Sequence, residues 1–110
     1  MKALLLLAAL LLAPQIGFAR MTQTNQAPDQ LRYIGMWVTK DGRIRHELLA
    51  DGRYDEARNG RQSAYQGRYV ITGNHIDYRD DTGFTADGTF VSDDELHHGG
   101  MIFYREKPAG

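Results

Sequence analysis

Turn dipeptides punctuate the chain: Asp41-Gly42, Asp51-Gly52, Asn59-Gly60, Gly73-Asn74, Thr82-Gly83, Asp87-Gly88, Asp93-Asp94 and Gly99-Gly100. Between them lie runs of about 4–8 residues rich in Tyr, Ile, Val, Phe and Thr, which is the length and composition of strands. Past the N-terminal segment, no window of about 11 residues keeps an apolar period of 3.6, so no amphipathic helix is expected. Eight turns imply about eight or nine antiparallel strands in a meander. A sheet of that size in a short chain must close or fold over to hide its edges, and an up-and-down barrel is the cheapest closure. The expected fold is therefore all-β: a single antiparallel up-and-down barrel of about eight strands.

A repeated form refines the register. Val38 to Ile44, Leu48 to Tyr54 and Phe84 to Phe90 all read apolar-x-x-Asp-Gly-x-apolar. A three-residue hairpin loop with glycine in the left-handed region explains it. Val38 then faces Ile44, Leu48 faces Tyr54, and Phe84 faces Phe90. A fourth hairpin, Gly67 to Tyr78, puts Tyr69, Ile71, Ile76 and Tyr78 on the inner side. Through the second hairpin the inner side collects Ile44, His46 and Leu48, then Tyr54, Glu56 and Arg58. His46 becomes the cross-strand partner of Glu56, and Ile44 that of Arg58. A barrel built for packing alone needs no His, Glu or Arg inside, because burying an unpaired charge costs several kcal/mol. This polar group is the leading functional candidate, against the alternatives of a solvated face or a self-satisfied structural network.

Composition narrows the classes. The chain has 110 residues, no cysteine, and 13 Lys+Arg against 14 Asp+Glu. The length allows one small domain and excludes a two-domain enzyme. Zero cysteine excludes disulfides, thiolate metal sites and a cysteine nucleophile. Near-neutral charge argues against a nucleic-acid partner.

Residues 1–19 read as a secretory signal peptide. Met1-Lys2 starts it, an apolar Leu/Ala run follows, and Gly17-Phe18-Ala19 supplies the small residues of a cleavage site. The apolar run is too short to span a bilayer, so no membrane association is expected after cleavage. The expected location is periplasmic or secreted. Residues 20–32 are polar and aperiodic and read as a flexible linker. The barrel domain is placed at 33–107.

Gly35-Met36-Trp37 on the first strand and Arg105 at the end of the last resemble the signature of lipocalins, avidins and related small barrels. In such barrels the tryptophan closes one end and a late arginine packs on its ring, which implies structural roles for Gly35, Trp37 and Arg105. Longer segments carry a more specific likeness: Gly35 to Thr39, Ile44 to Leu49, Asp51 to Arg58, Ser63 to Tyr69 and Asp80 to Gly88. They resemble a family of small uncharacterised bacterial proteins with a streptavidin-like barrel, named after an Agrobacterium protein. The likeness spans about Tyr33 to Glu106 and implies a barrel with a ligand cavity. It conflicts with the register above at one point. Val38 inward turns Trp37 outward, and the signature wants Trp37 inward. A bulge near Thr39 or Lys40, or a two-residue Asp41-Gly42 turn, reconciles them.

Other chemistry is less well supported. His97 and His98 are adjacent and fall on opposite faces of a strand. His46, His98 and Glu56 form a conceivable His/His/carboxylate set, but no spacing demands it, and no metal or cofactor is assigned. The acidic pairs at turns lack a calcium-loop pattern, and Ser63 has no nucleophile-elbow context. The expected site is His46, Tyr54, Glu56, Arg58, Tyr69 and Tyr78, binding a small anionic or aromatic molecule. The competing readings are a small isomerase, cyclase or lyase with His46 and Glu56 as acid and base, and a fully packed structural or inhibitor barrel. With Met101 and Phe103 inward, Ile102 and Tyr104 face outward, which suits a homodimer contact.

Overall fold

The computed structural model describes residues 28–107. The expected signal peptide and linker residues 20–27 lie outside the described residues. Eight strands follow in order: β1 (Gly35–Thr39), β2 (Ile44–Leu48), β3 (Arg53–Arg58), β4 (Arg61–Thr72), β5 (His75–Asp80), β6 (Thr85–Ser92), β7 (Glu95–His98) and β8 (Met101–Arg105). Each pairs antiparallel with the next, and β8 pairs back onto β1. The expected up-and-down barrel is closed and has no free edge.

Seven of the eight expected turns are hairpin connections. Asn59-Gly60 and Gly99-Gly100 have positive φ at both positions, as two-residue hairpin loops with a matching twist require. Asp87-Gly88 is the exception, because it lies inside β6. Phe84 and Phe90 therefore share a face along one stretch of chain instead of facing each other across a loop. The ladders to β5 and β7 both run through residues 88 and 89, and two-sided pairing overrides the local turn preference. Gly88 faces inward between Ile76 and His98.

The second hairpin has the expected register, with Leu48 opposite Tyr54, His46 opposite Glu56 and Ile44 opposite Arg58. The first hairpin differs. Trp37 pairs with His46 and Val38 with Arg45, so Trp37 turns inward and Val38 outward. This is the register a two-residue Asp41-Gly42 turn implies, but a four-residue loop, Lys40 to Arg43, carries it, with Gly42 N donating to the Thr39 carbonyl at 2.8 Å. Asp41 stabilises it by accepting hydrogen bonds from Thr39 Oγ1 at 2.8 Å and Arg43 N at 3.0 Å.

One end of the barrel is sealed. Trp37, Leu48, Ile76, Phe90, Leu96 and Phe103 are all nearly fully buried. Tyr33 stacks on Phe90 with centroids 3.7 Å apart, and Trp37 Nε1 donates to the Tyr33 carbonyl at 3.0 Å. The Arg105 guanidinium carbon lies 4.7 Å from the Trp37 ring centroid. Its N–H groups also reach the carbonyls of Arg32, Ile34 and Asp93. The closure implied for Trp37 and Arg105 is present, and Gly35 enters it at φ +136° beside Arg105. A helical turn, α1 (Pro28–Leu31), packs near this end within the stretch read as linker. Gln30 is buried there, and Asp29 accepts from Gly73 N at 2.9 Å.

Candidate functional site

Alternation along β2, β3 and β5 carries His46, Glu56 and Tyr78 into the lumen. His46 Nδ1 lies 2.9 Å from Glu56 Oε1, and His46 Nε2 lies 3.0 Å from the Tyr78 hydroxyl. Arg58, two residues past Glu56 on the same face, donates from Nε to Glu56 Oε2. Tyr54 stacks on His46 at 5.5 Å between centroids and meets Tyr78 edge-on at 5.1 Å. The result is a continuous chain across the lumen, Tyr78–His46–Glu56–Arg58.

The charges in this chain follow from burial. Burial opposes the Glu56 carboxylate, but its hydrogen bonds to His46 and Arg58 outweigh that and hold its pKa below the usual value. Burial pushes the His46 pKa down, and the attraction of Glu56 offsets this only in part. A carboxylate beside an imidazole would ordinarily favour the imidazolium. Here Arg58 already balances Glu56, and His46 is only 1% exposed, so the neutral ring prevails. Neutral His46 then donates from Nδ1 to Glu56 and accepts at Nε2 from Tyr78. Burial also raises the Tyr78 pKa well above that of a free phenol, so Tyr78 stays a donor.

Above this chain the barrel opens into a cavity of about 170 Å³. His46, Tyr54, Glu56, Arg58 and Tyr78 line it, together with Tyr65, Asp80, Phe84, Thr85, Ala86 and His98. Five of the six residues expected in the site are thus brought together. Tyr69 is the exception: it is inward, but its hydroxyl donates to the Leu49 carbonyl at 2.7 Å and belongs to the packed interior.

The sequence reading passed over most of the other lining residues. Tyr65 stands opposite Glu56 because β4 carries extra residues between the Glu56 and Arg58 pairings, with Ser63 at φ +49°. Period-two counting back from Tyr69 is the signal that could have found Tyr65. Phe84 lies at the mouth, 77% exposed, and was misplaced by the false hairpin. His98 was weighed only as a metal ligand. It donates from Nδ1 to the Asp87 carbonyl at 2.9 Å, leaving Nε2 available. The His46/His98/Glu56 metal set is not supported, since among the described residues only another group, on the outer wall, brings three such donor atoms within 4.8 Å of one another.

Arg58 links the cavity to the rim. Its guanidinium carbon sits 5.0 Å from the Tyr65 ring centroid, and its Nε is fixed by Glu56. Its terminal nitrogens have no partner among the described residues. Arg61 is directly opposite Arg58 across the hairpin. Lys40, Arg43 and Arg58 line an adjoining rim cleft of about 570 Å³. Asp41 and Asp80 at the rim are occupied by hydrogen bonds from their own loops.

Comparison with known proteins follows the same outline. The family model described as Agrobacterium tumefaciens protein Atu4866 matches residues 30–105. The solution structure of Atu4866 from Agrobacterium tumefaciens is 75% identical, with a TM-score of 0.64, over 68% of this chain and 95% of that one. A search of curated proteins finds no significant match. A match over residues 30–105, which span all eight strands, places this chain in the Atu4866 family.

Proposed function

We propose that the protein binds a small planar molecule carrying a carboxylate at the open end of its barrel. One observation carries the reading. Arg58 is held at Nε by Glu56 and on its face by Tyr65, while its terminal N–H groups point to no protein acceptor among the described residues. A guanidinium held in this way loses little freedom on meeting a carboxylate and offers a bidentate edge. The rim cations Lys40, Arg43 and Arg61 reinforce the preference for an anion. Tyr54, Tyr65 and Phe84 supply flat apolar walls. A volume of about 170 Å³ equals a few waters at about 30 Å³ each, so it suits one ring with short substituents rather than a lipid or peptide. The leader read at residues 1–19 supports an exported binder.

Acid–base catalysis by His46 and Glu56 has less support. Both nitrogens of His46 are engaged, and both Glu56 oxygens are taken by His46 and Arg58. The packed-barrel reading suits the sealed half but not the mouth. The test is a thermal-shift screen of small aromatic and aliphatic carboxylates against wild type, Arg58→Ala and Phe84→Ser. Aromatic carboxylates should stabilise wild type. Arg58→Ala should abolish that shift, and Phe84→Ser, which alters an exposed side chain, should weaken it at unchanged basal stability. Equal shifts in all three proteins, or none in wild type, would overturn the proposal.

A further inference from the structure

The outer face of β5 and β6 carries a separate group of side chains, across the barrel wall from the cavity. Asp77 and Asp87 are directly opposite each other on the two strands. His75, two positions before Asp77, lies on the same face. His75 Nε2 is 3.2 Å from Asp77 Oδ1 and 3.6 Å from Asp87 Oδ2. One donor atom from each of the three residues lies within 4.8 Å of the others. Asp81, Asp93, Asp94, Glu56 and Glu106 each pair with an arginine. Among the described residues, Asp77 and Asp87 have only His75. Two carboxylates facing each other across a ladder repel, and an imidazole offsets both only when protonated.

We propose that His75, Asp77 and Asp87 bind a first-row divalent metal ion, with zinc as the probe. Bonds of about 2.0–2.2 Å to imidazole nitrogen and carboxylate oxygen require donor atoms separated by about 2.8–3.6 Å for octahedral to tetrahedral angles. The His75 distances to both carboxylates fall in that range. One imidazole with two carboxylates and no thiolate is a borderline-hard set that suits zinc, cobalt, nickel or manganese and disfavours copper(I). The backbone is firm, because β5 and β6 are each hydrogen-bonded on both sides, so the ligands ride on rigid elements. Both carboxylates are exposed, which leaves the remaining coordination positions to water. This site is independent of the cavity and of the ligand proposed there.

The test uses the full chain, freed of metal with a chelator and titrated with Zn²⁺ by calorimetry and ¹H–¹⁵N spectroscopy. One ion should bind per chain, with resonance changes centred on His75, Asp77 and Asp87. His75→Ala and Asp87→Asn should each weaken binding by roughly tenfold or more, since even outer-shell changes cost about 10–100-fold. His97→Ala, on the neighbouring strand β7, should leave it unchanged. Asp87→Asn relieves a repulsion in the metal-free protein, so its metal-free melting temperature should not fall; this separates lost binding from lost folding. Absence of binding would overturn the proposal. So would indifference to Asp87→Asn, or spectral changes centred on His97 or on His46 and His98.

Discussion

Glu56 accepts hydrogen bonds on both oxygens, and that division governs how its neighbours titrate. Arg58 neutralises it, so His46 is left neutral by burial. The sign of the pH dependence follows. The native imidazole is held below its ordinary 6.5 and the native carboxyl below 4.5. Below pH 6.5 the unfolded chain therefore binds more protons than the native one, and stability falls with falling pH. The loss begins as unfolded His46 protonates and continues as Glu56 passes through the carboxylate range. Thermal melts between pH 8 and pH 4 should show this decline, and His46→Gln should flatten its upper part only. Stability that rises below pH 6.5 would mean His46 is charged in the native state.

At the scale of strands, glycines set where the wall can close. Gly67 opposes Tyr54 on one side and Asp80 on the other. A Cβ there would meet the Arg79 carbonyl oxygen at 2.2 Å and the Asp80 Cα at 2.5 Å, both backbone atoms that cannot yield. Gly60 has open space around it, and its positive φ is the only objection to a side chain. Gly67→Ala should therefore cost more than the ~1 kcal/mol expected for Gly60→Ala, by an overpacking term of about 1–3 kcal/mol. For a domain of this size that separates the melting temperatures by roughly 4–8 °C per kcal/mol. Equal losses in the two variants would mean that β4 and β5 can spread at Gly67. Strand identities and most turns were legible locally, because hairpin loops carry their own chemistry. The Asp87-Gly88 error shows the limit: a turn dipeptide is a local preference, and hydrogen bonding to neighbours on both sides outweighs it.

For the molecule as a whole, one end is a packed plug and the other an open mouth. Arg105 holds the plug by stacking on Trp37 and bonding three backbone carbonyls. Arg105→Lys keeps the charge but loses the planar fork. The change should cost about 2–3 kcal/mol, from a cation–π contact and stranded carbonyls. It should also shift the fluorescence of Trp37, the single tryptophan. A stable variant with unaltered fluorescence would assign the closure to Tyr33 and Phe90 instead. A rigid sealed half lets the mouth keep a cavity and still fold, since the core is concentrated at the opposite end.

By itself the sequence determined the strands, the meander, the positions of its seven hairpin turns and the pairing of His46 with Glu56. Those depend on near neighbours in the chain, through loop chemistry and period-two alternation. Tertiary structure alone decided the rest. Closure of β8 on β1 brought Arg105 onto Trp37, a contact that the family resemblance implied but no local pattern could give, and Tyr78 met His46, residues separated by 32 positions. Tyr69 was drawn into the packed interior because an acceptor, the Leu49 carbonyl, lay within its reach. Alternation says which face a side chain takes. Only the three-dimensional fold says whether that face is filled, capped by a partner, or left open to a ligand.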